Sequence, residues 1–344
     1  MTKERSKKSI ILYPLLIPIL MVVTSVITII YWPQNNMRKS MKITINHGES
    51  LSVISNKLLK SGIITNKKSF GLATKIMGLE KSIPVGSYQL KNVQINRDII
   101  NRLVYGSPEV NRITLLEGWN IKQVSSHLSE KMGFEYSNLL EVINDKSFIQ
   151  SLDLEIDNLE GYLYPETYYF FDGEKERSVI RRLIKEYKKF WSKTNITKAD
   201  SMKLTQHQVV TLASIIEGEA IYDSERPIIS AVYHNRLKKG MKLQADPTVQ
   251  YIIKDGPRRL LNKDLRIKSP YNTYLYQGLP PGPINSPGFE SLNAALYPEE
   301  NDFLYFVAKG DGYHTFSKNE RDHERAKRAF QRVRRKVKKE RDGL

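Results

Sequence analysis

Cysteine is absent from this sequence. That excludes disulfides, thiol nucleophiles and thiolate metal sites, and it fits any compartment. The six histidines, at 47, 127, 207, 234, 314 and 323, form no HExxH pair or other helical ligand spacing, so no metal site and no cofactor is expected. There is no GxSxG elbow, and the SDN and KTG companions of penicillin-binding enzymes are missing. Phosphate cradles of the GxxxxGK[ST] or GxGxxG kind are missing too. Among the common catalytic chemistries, that of carboxylates remains.

Acidic residues are also in short supply, 37 against 54 Lys and Arg, for a net charge of +17. The excess is uneven. Residues 1–9 hold four basic side chains against one acidic, and residues 321–344 hold eleven against four. The body between is only mildly basic, and it offers no zinc finger, recognition helix or basic-aromatic groove, so nucleic acid is not the expected partner. An anionic membrane surface or an anionic polymer outside the membrane fits the charge.

Charge vanishes altogether from Ile10 to Trp32. That length suits a helix crossing a bilayer core, about 20 residues. Pro14 and Pro18 are tolerated in such helices, and Tyr31 and Trp32 stand where an interfacial aromatic belt is expected. A cleaved signal peptide is the alternative, but the run is long and lacks a small-x-small cleavage site. Lys3, Arg5, Lys7 and Lys8 precede it, which favours a cytoplasmic N-terminus with the rest outside.

A repeat follows. Ile43-Thr-Ile-Asn-His-Gly48-Glu-Ser50-Leu-Ser-Val-Ile54 aligns with Ile113-Thr-Leu-Leu-Glu-Gly118-Trp-Asn120-Ile-Lys-Gln-Val124. Each copy predicts a short strand, a glycine turn and an amphipathic helix capped by Ser50 or Asn120. The first copy resembles a LysM-like module, the kind that holds N-acetylglucosamine polymers; a purely structural α/β unit fits as well. A strand is expected over 83–90, and helices over 95–105, 136–148 and 178–191. Between the last two, Tyr162, Tyr164, Tyr168, Tyr169 and Phe170 crowd together. They can line a sugar groove or fill a core.

The stretch Thr211-Leu-Ala-Ser-Ile-Ile-Glu217-Gly-Glu219-Ala220 reads as an apolar helix carrying two carboxylates. A glutamate beside a packed face is partly desolvated, which raises its pKa and suits a general acid; two solvated glutamates are the plainer alternative. Glu217 and Glu219 cannot flank one glycosidic bond together, because two residues along a helix turn about 200°. Either a distant carboxylate such as Asp246 completes a pair, or one glutamate works alone. Periodicity does not choose between them. After this helix, Ser224 and Pro227 predict the start of another, ended by Gly240. Residues 243–248 predict a turn. Gly278 to Gly288 holds four prolines and three glycines in eleven residues, a shaped and stiff loop. A short helix over 291–296, strands over 303–307 and 312–316, and a basic tail helix with an apolar stripe of Ala326, Phe330, Val333 and Val337 complete the chain.

The segments Leu159-Glu-Gly-Tyr-Leu-Tyr-Pro-Glu-Thr-Tyr168, Leu212-Ala-Ser-Ile-Ile-Glu217-Gly-Glu219, Tyr233-His-Asn-Arg236-Leu, Leu243-Gln244-Ala-Asp246-Pro-Thr, Tyr271-Asn272-Thr-Tyr274, Gly278-Leu-Pro-Pro-Gly-Pro-Ile284 and Leu304-Tyr-Phe-Val-Ala308 occur in this order. Together they resemble the YceG-like family, the membrane-anchored endolytic murein transglycosylases of bacteria. The resemblance implies an α+β chain: a cytoplasmic N-terminus (1–9), a transmembrane helix (10–32), a LysM-like small α/β subdomain (41–108) and a mixed α+β catalytic domain (109–344) with the basic helix at its end. It implies a single-pass protein of the plasma membrane, its catalytic domain outside, with peptidoglycan glycan strands as partner and the cell-wall synthesis machinery as a further one. It implies cleavage between N-acetylmuramic acid and N-acetylglucosamine to leave 1,6-anhydro ends, one Glu serving as acid and then base. That Glu maps to Glu217. Gln244, Asp246 and Asn272, with Tyr271 beside them, are the expected substrate contacts or orienting groups, though Asp246 equally reads as a turn cap. Family members often carry Lys between the two glutamates; Gly218 is expected on the outward side, where the difference matters little. Glu217 rather than Glu219 is expected to face the cleft beneath the 271–287 loop. A non-catalytic peptidoglycan-binding protein and a two-carboxylate hydrolase are the alternatives.

Overall fold

A computed structural model describes residues 13–34, 40–91, 93–254, 256, 258–341 and 343. The expected cytoplasmic stretch and the first three residues of the expected span lie outside the described residues. The fold is mixed α+β, dominated by helices, with three two-stranded sheets among the described residues. The chain divides into two compact units: residues 1–113 with 168–175, and residues 114–167 with 176–344.

The first unit begins with helix α1 (Tyr13–Ile30), followed by β1 (Met41–Ile45), α2 (Leu51–Lys60), α3 (Lys67–Ile76), β2 (Gly86–Leu90), α4 (Asn96–Tyr105) and β3 (Val110–Thr114). Strands β1 and β2 pair antiparallel with Ile43 opposite Tyr88. Alternation along β1 turns Ile43 and Ile45 onto a core with Ile54, Leu58, Phe70, Tyr88, Ile99 and Leu103. Each such side chain contributes about 2 kcal/mol through burial. The Ser50 cap forms as the sequence predicts, its hydroxyl accepting from Val53 N–H.

Among the described residues no helix is long and apolar enough to cross a membrane. The described residues of α1, eighteen in all, rise about 27 Å. The end of the expected span is also tied to the unit. Asn96 Nδ2 donates to Ile29 O at 2.9 Å, and Ile29 packs on the core. Farther up, Leu16, Ile17, Leu20, Met21 and Val22 are exposed.

The second unit holds α5 (Ile121–Met132), α6 (Tyr136–Asn144) and α7 (Lys146–Gln150); the chain then runs through β4 (Thr167–Phe171), which pairs with β3, before returning as α8 (Glu176–Phe190) and α9 (Lys193–Ser201). The helix expected over 136–148 breaks at Asp145, whose carboxylate caps α7 by accepting from Ser147 and Phe148 N–H. The aromatic stretch serves the core more than a groove: Tyr162, Tyr168 and Phe170 are buried, and Tyr169 is exposed.

Helix α10 (Gln206–Glu219) runs through the middle of this unit, packed against α9 and against α11 (Arg226–Lys238), α12 (Asp246–Ile252) and α13 (Phe289–Leu296). A capping box starts it: Thr205 Oγ1 accepts from Gln208 N–H, and Gln208 Oε1 accepts from Thr205 N–H. Every residue from Val209 to Ile216 is buried. The single inward face expected from periodicity is therefore an all-round core helix. Two other expectations fail nearby. Ser224 does not cap α11, because a 3-10 turn over Asp223–Glu225 leads into it. The expected turn at 243–248 is instead the start of α12, since Asp-Pro-Thr suits a first helical turn as well as a β-turn. The hairpin β5 (Tyr305–Ala308) and β6 (His314–Ser317) follows α13, and the tail helix α14 (Glu320–Arg341) packs on it, with Tyr305 stacked on His323 at 5.0 Å.

Candidate active site

The proline-rich loop is held on α10 by side chains of the helix itself. Ser214 Oγ accepts from Ile284 N–H at 3.1 Å, and Asn285 Nδ2 donates to Ser214 O at 2.9 Å. His207 Nε2 donates to Pro281 O at 2.8 Å, which leaves Nδ1 to accept from the Tyr162 hydroxyl, also at 2.8 Å. The second glycine turn joins the same loop. Gly118 N–H donates to Ser286 O, and Ser286 N–H donates to Trp119 O. One helix end, one loop and one turn thus converge on a single point.

Glu217 stands at that point. Its Oε2 accepts from Gly288 N–H at 3.0 Å, and its Oε1 faces Arg226 Nη1 at 3.1 Å. Both side chains are 6% exposed. Arg226 also donates to Asp223 Oδ1 and Ser291 Oγ, so its fork is fixed from three sides. A second carboxylate lies alongside. Glu117 presses on the Gly288 backbone so closely that a Cβ there would sit 1.8 Å from Glu117 Oε1. Partial burial first, and then the Glu217 charge, push the Glu117 pKa above its ordinary value, while Arg226 pulls it back.

Glu219 points elsewhere, as the helix geometry requires. It accepts from the Tyr233 hydroxyl at 3.0 Å and from Asp246 N–H. Burial, then the Asp246 charge, raise its pKa to about 7. Glu219 lines a cleft of about 630 Å³ with Gly118, Gly218, Asp246, Gln250 and Asn285. Asn285 Oδ1 and Ser286 Oγ are buried without a protein partner. Behind the cleft wall, Glu160 accepts from Ile121 N–H and the Tyr251 hydroxyl, and burial raises its pKa to about 7.

The model of the YceG-like family matches residues 43–329. The chain belongs to the YceG-like family. It is 34% identical over 313 residues to an endolytic murein transglycosylase of Bacillus subtilis, covering 86% of each chain. It is 28% identical over 322 residues to the endolytic murein transglycosylase of Streptococcus pneumoniae, of which it spans 58%. The crystal structure of a YceG-like protein from Listeria monocytogenes superposes with a TM-score of 0.59 at 31% identity, covering 84% of this chain and 99% of that one.

In this YceG-like chain the residues singled out by sequence fall into three places. Glu217 lies beneath the loop at Gly288, while Glu219 lines the open cleft with Asp246. The cleft is thus lined by Glu219 and not by Glu217, the reverse of the expectation. Asp246 opens α12 and accepts from the Tyr274 hydroxyl, so it is neither a turn cap nor the carboxylate beside Glu217. Gln244 is exposed in the left-handed region (φ 50°), its N–H on Thr273 O. Asn272 is fully buried and spends its amide inside the loop, donating to Leu265 O and Ile267 O and accepting from Tyr274 N–H. It shapes the loop from within. Tyr271 packs on Tyr251 with ring centroids 5.0 Å apart.

Gly218 is exposed, as expected, but the position is not indifferent. A Cβ there would come within 2.6 Å of Pro247 Cβ. Sequence reasoning also missed Glu117, Arg226 and Asn285. For Glu117 there was a signal: in the aligned repeats, the residue before the turn glycine is His47 in one copy and Glu117 in the other.

Proposed function

We propose that this chain is a peptidoglycan lytic transglycosylase that cuts glycan strands internally and leaves 1,6-anhydro-muramic acid ends. The observation that carries the reading is Glu217. It is a nearly buried carboxyl fixed between Gly288 N–H and Arg226, beside a cleft large enough for sugar rings, in a chain related along most of its length to endolytic murein transglycosylases. Glu217 donates its proton to the oxygen leaving muramic acid C1. The C1–O bond breaks, and the Glu217 carboxylate takes the proton of the C6 hydroxyl, whose oxygen closes on C1. No water is consumed, and the glutamate ends as it began, protonated. Arg226 and Gly288 N–H stabilise the carboxylate that exists between the two transfers.

Asn285, whose Oδ1 has no protein partner, is the proposed contact for an acetamido N–H or a sugar hydroxyl, and Asp246 lines the same cleft, whereas Gln244 is exposed outside its lining. Replacing Asn285 by Ala is expected to raise KM more than it lowers kcat; an unchanged KM would remove it from the binding site. The test of the reading as a whole is Glu217→Gln in the full chain. That variant is expected to keep its circular dichroism and release no 1,6-anhydro-muropeptides from purified sacculi; release at the parent rate would contradict the assignment.

A second reading, a two-carboxylate hydrolase, gains from one observation: Glu117 and Glu217 meet at the same backbone group, and retaining glycosidases work with two close carboxyls. Membrane anchoring through residues 10–32 is likewise a proposal, supported by the exposed apolar side chains of α1. Because the chain has no cysteine, single cysteines can be introduced and labelled in intact cells with an impermeant maleimide. Labelling is expected beyond residue 40 and not within 1–9. The opposite pattern would reverse the orientation.

A further inference from the structure

We infer that the tail helix α14 presents a row of arginines that docks on an anionic phospholipid surface. The inference stands apart from the proposed reaction. From Arg325 to Lys339 the chain carries nine basic residues and no acidic one. Their order matters more than their number. Arg321, Arg325, Arg328, Arg332 and Arg335 follow one another at alternating spacings of four and three. On an α-helix that places all five within about 80° of arc, in a row about 21 Å long.

Packing fixes the direction in which that row faces. Ala326, Phe330 and Val333 lie roughly 150° round the helix from it, and this apolar side meets the β5–β6 hairpin. A Cβ on Gly310, in the hairpin turn, would sit 3.3 Å from Val333 Cγ1 and 3.6 Å from Phe330 Cε2. His323 stacks on Tyr305 from the same side. The arginine row therefore points away from the hairpin, and all five side chains are exposed. Arg325 lies 3.3 Å from Asp322, an exposed pair that holds it weakly. The other four have no ion pair among the described residues, and Glu324 is taken by Lys327 at 2.8 Å.

The geometry fits a plane of negative charge. A straight row on a convex helix touches a flat surface along its whole length, and each arginine near an anionic leaflet strengthens partitioning about fivefold. A linear polyanion is gripped differently, by a groove that follows its backbone and by aromatic rings. Neither stands beside the row. Its flanks are Asp322 and Ala329 on one side and Glu324 and Gln331 on the other, and both acids repel an anionic chain that wraps round. Insertion between lipids needs a free apolar side, and here that side is spent on the hairpin. The contact is therefore one of charge alone, and salt weakens it.

Energy transfer from the full chain to vesicles tests this. The chain has no cysteine, so Ala329→Cys, exposed on the flank of the row, takes a single donor dye. Vesicles of phosphatidylcholine, with or without added phosphatidylglycerol, carry the acceptor on their headgroups. Transfer to the neutral vesicles measures whatever α1 contributes. At low salt, transfer to the anionic vesicles is expected to exceed that baseline, and at high salt to fall back to it. Replacing Arg328, Arg332 and Arg335 together by Gln weakens the contact about a hundredfold, so the anionic excess is expected to vanish. It is expected to survive when the exposed Lys193, Lys203 and Lys238 are replaced instead. Equal transfer to both kinds of vesicle overturns the inference, as does an excess that the arginine variant keeps or that the lysine variant loses equally. Dye anisotropy with soluble poly(glycerol phosphate) completes the test. Tighter binding of that polymer than of anionic vesicles at equal phosphate would make the partner a linear polyanion and overturn the inference too.

Discussion

Gly218 shows how a residue can be placed correctly on an outer face while the neighbour that constrains it is missed. Glycine costs a helix interior about 1 kcal/mol relative to alanine, and the sequence gives no sign of what stands opposite. The structure puts Pro247 there, and a proline ring cannot swing aside. Gly218→Ala is therefore expected to lose about 1–2 kcal/mol net, overpacking outweighing the gain in propensity, with a lower urea midpoint and weaker glycan binding. A stabilised variant would mean that α12 yields freely. Arg226 makes the opposite case, invisible in sequence because two of its three partners, Glu217 and Ser291, come from other stretches of chain. Arg226→Met leaves Glu217 buried without its counter-charge, and a loss of about 3 kcal/mol is expected from equilibrium unfolding. A change under 1 kcal/mol would mean the ion pair is open to solvent. The identity of Glu217 came from family likeness; its surroundings came only from the fold.

Elements with local signals were legible. The Ser50 and Asn120 caps, the glycine turns at 48 and 118, the helix over 95–105 and the β5–β6 hairpin follow from spacing and from residues adjacent in sequence. Elements decided by tertiary contact were not. Helix α10 looks one-sided in periodicity, yet helices and loop cover Thr211 and Ser214 as fully as Val210. Its hydroxyls escape penalty by bonding main-chain groups: Thr211 to His207 O, and Ser214 to Thr211 O and Ile284 N–H. Helix α12 was hidden because Asp-Pro-Thr starts turns and helices alike. The capping box of α10 permits a clean test at this scale. Thr205→Ala is expected to cost about 1 kcal/mol in unfolding free energy and to leave the product distribution unchanged, because the cap and Glu219 stand at opposite ends of a 14-residue helix. A changed product distribution would show that the helix start positions the carboxyl end.

At the scale of the whole molecule, a buried glutamate, Glu160, and a half-buried one, Glu219, link folding to pH. Glu160 and Glu219 each have a folded pKa near 7 against an ordinary 4.5. Between those values the folded chain binds more protons than the unfolded chain, so stability is full below about pH 4.5 and declines as pH rises towards 7. For Glu160 the decline amounts to about 3 kcal/mol. Glu160→Gln is expected to flatten roughly half of that slope in urea titrations between pH 4.5 and 7, leaving the part that belongs to Glu219. An unchanged slope would place Glu160 in contact with water. The division into units was only half legible, because the strand β4 returns to the first unit from far along the sequence. The claim that governs everything else is that no water enters the broken bond. Digesting sacculi with the full chain in oxygen-18 water and weighing the new glycan ends tests it directly. The account predicts 1,6-anhydro ends with no oxygen-18 above background. Reducing ends carrying oxygen-18 would contradict it and make the enzyme a hydrolase.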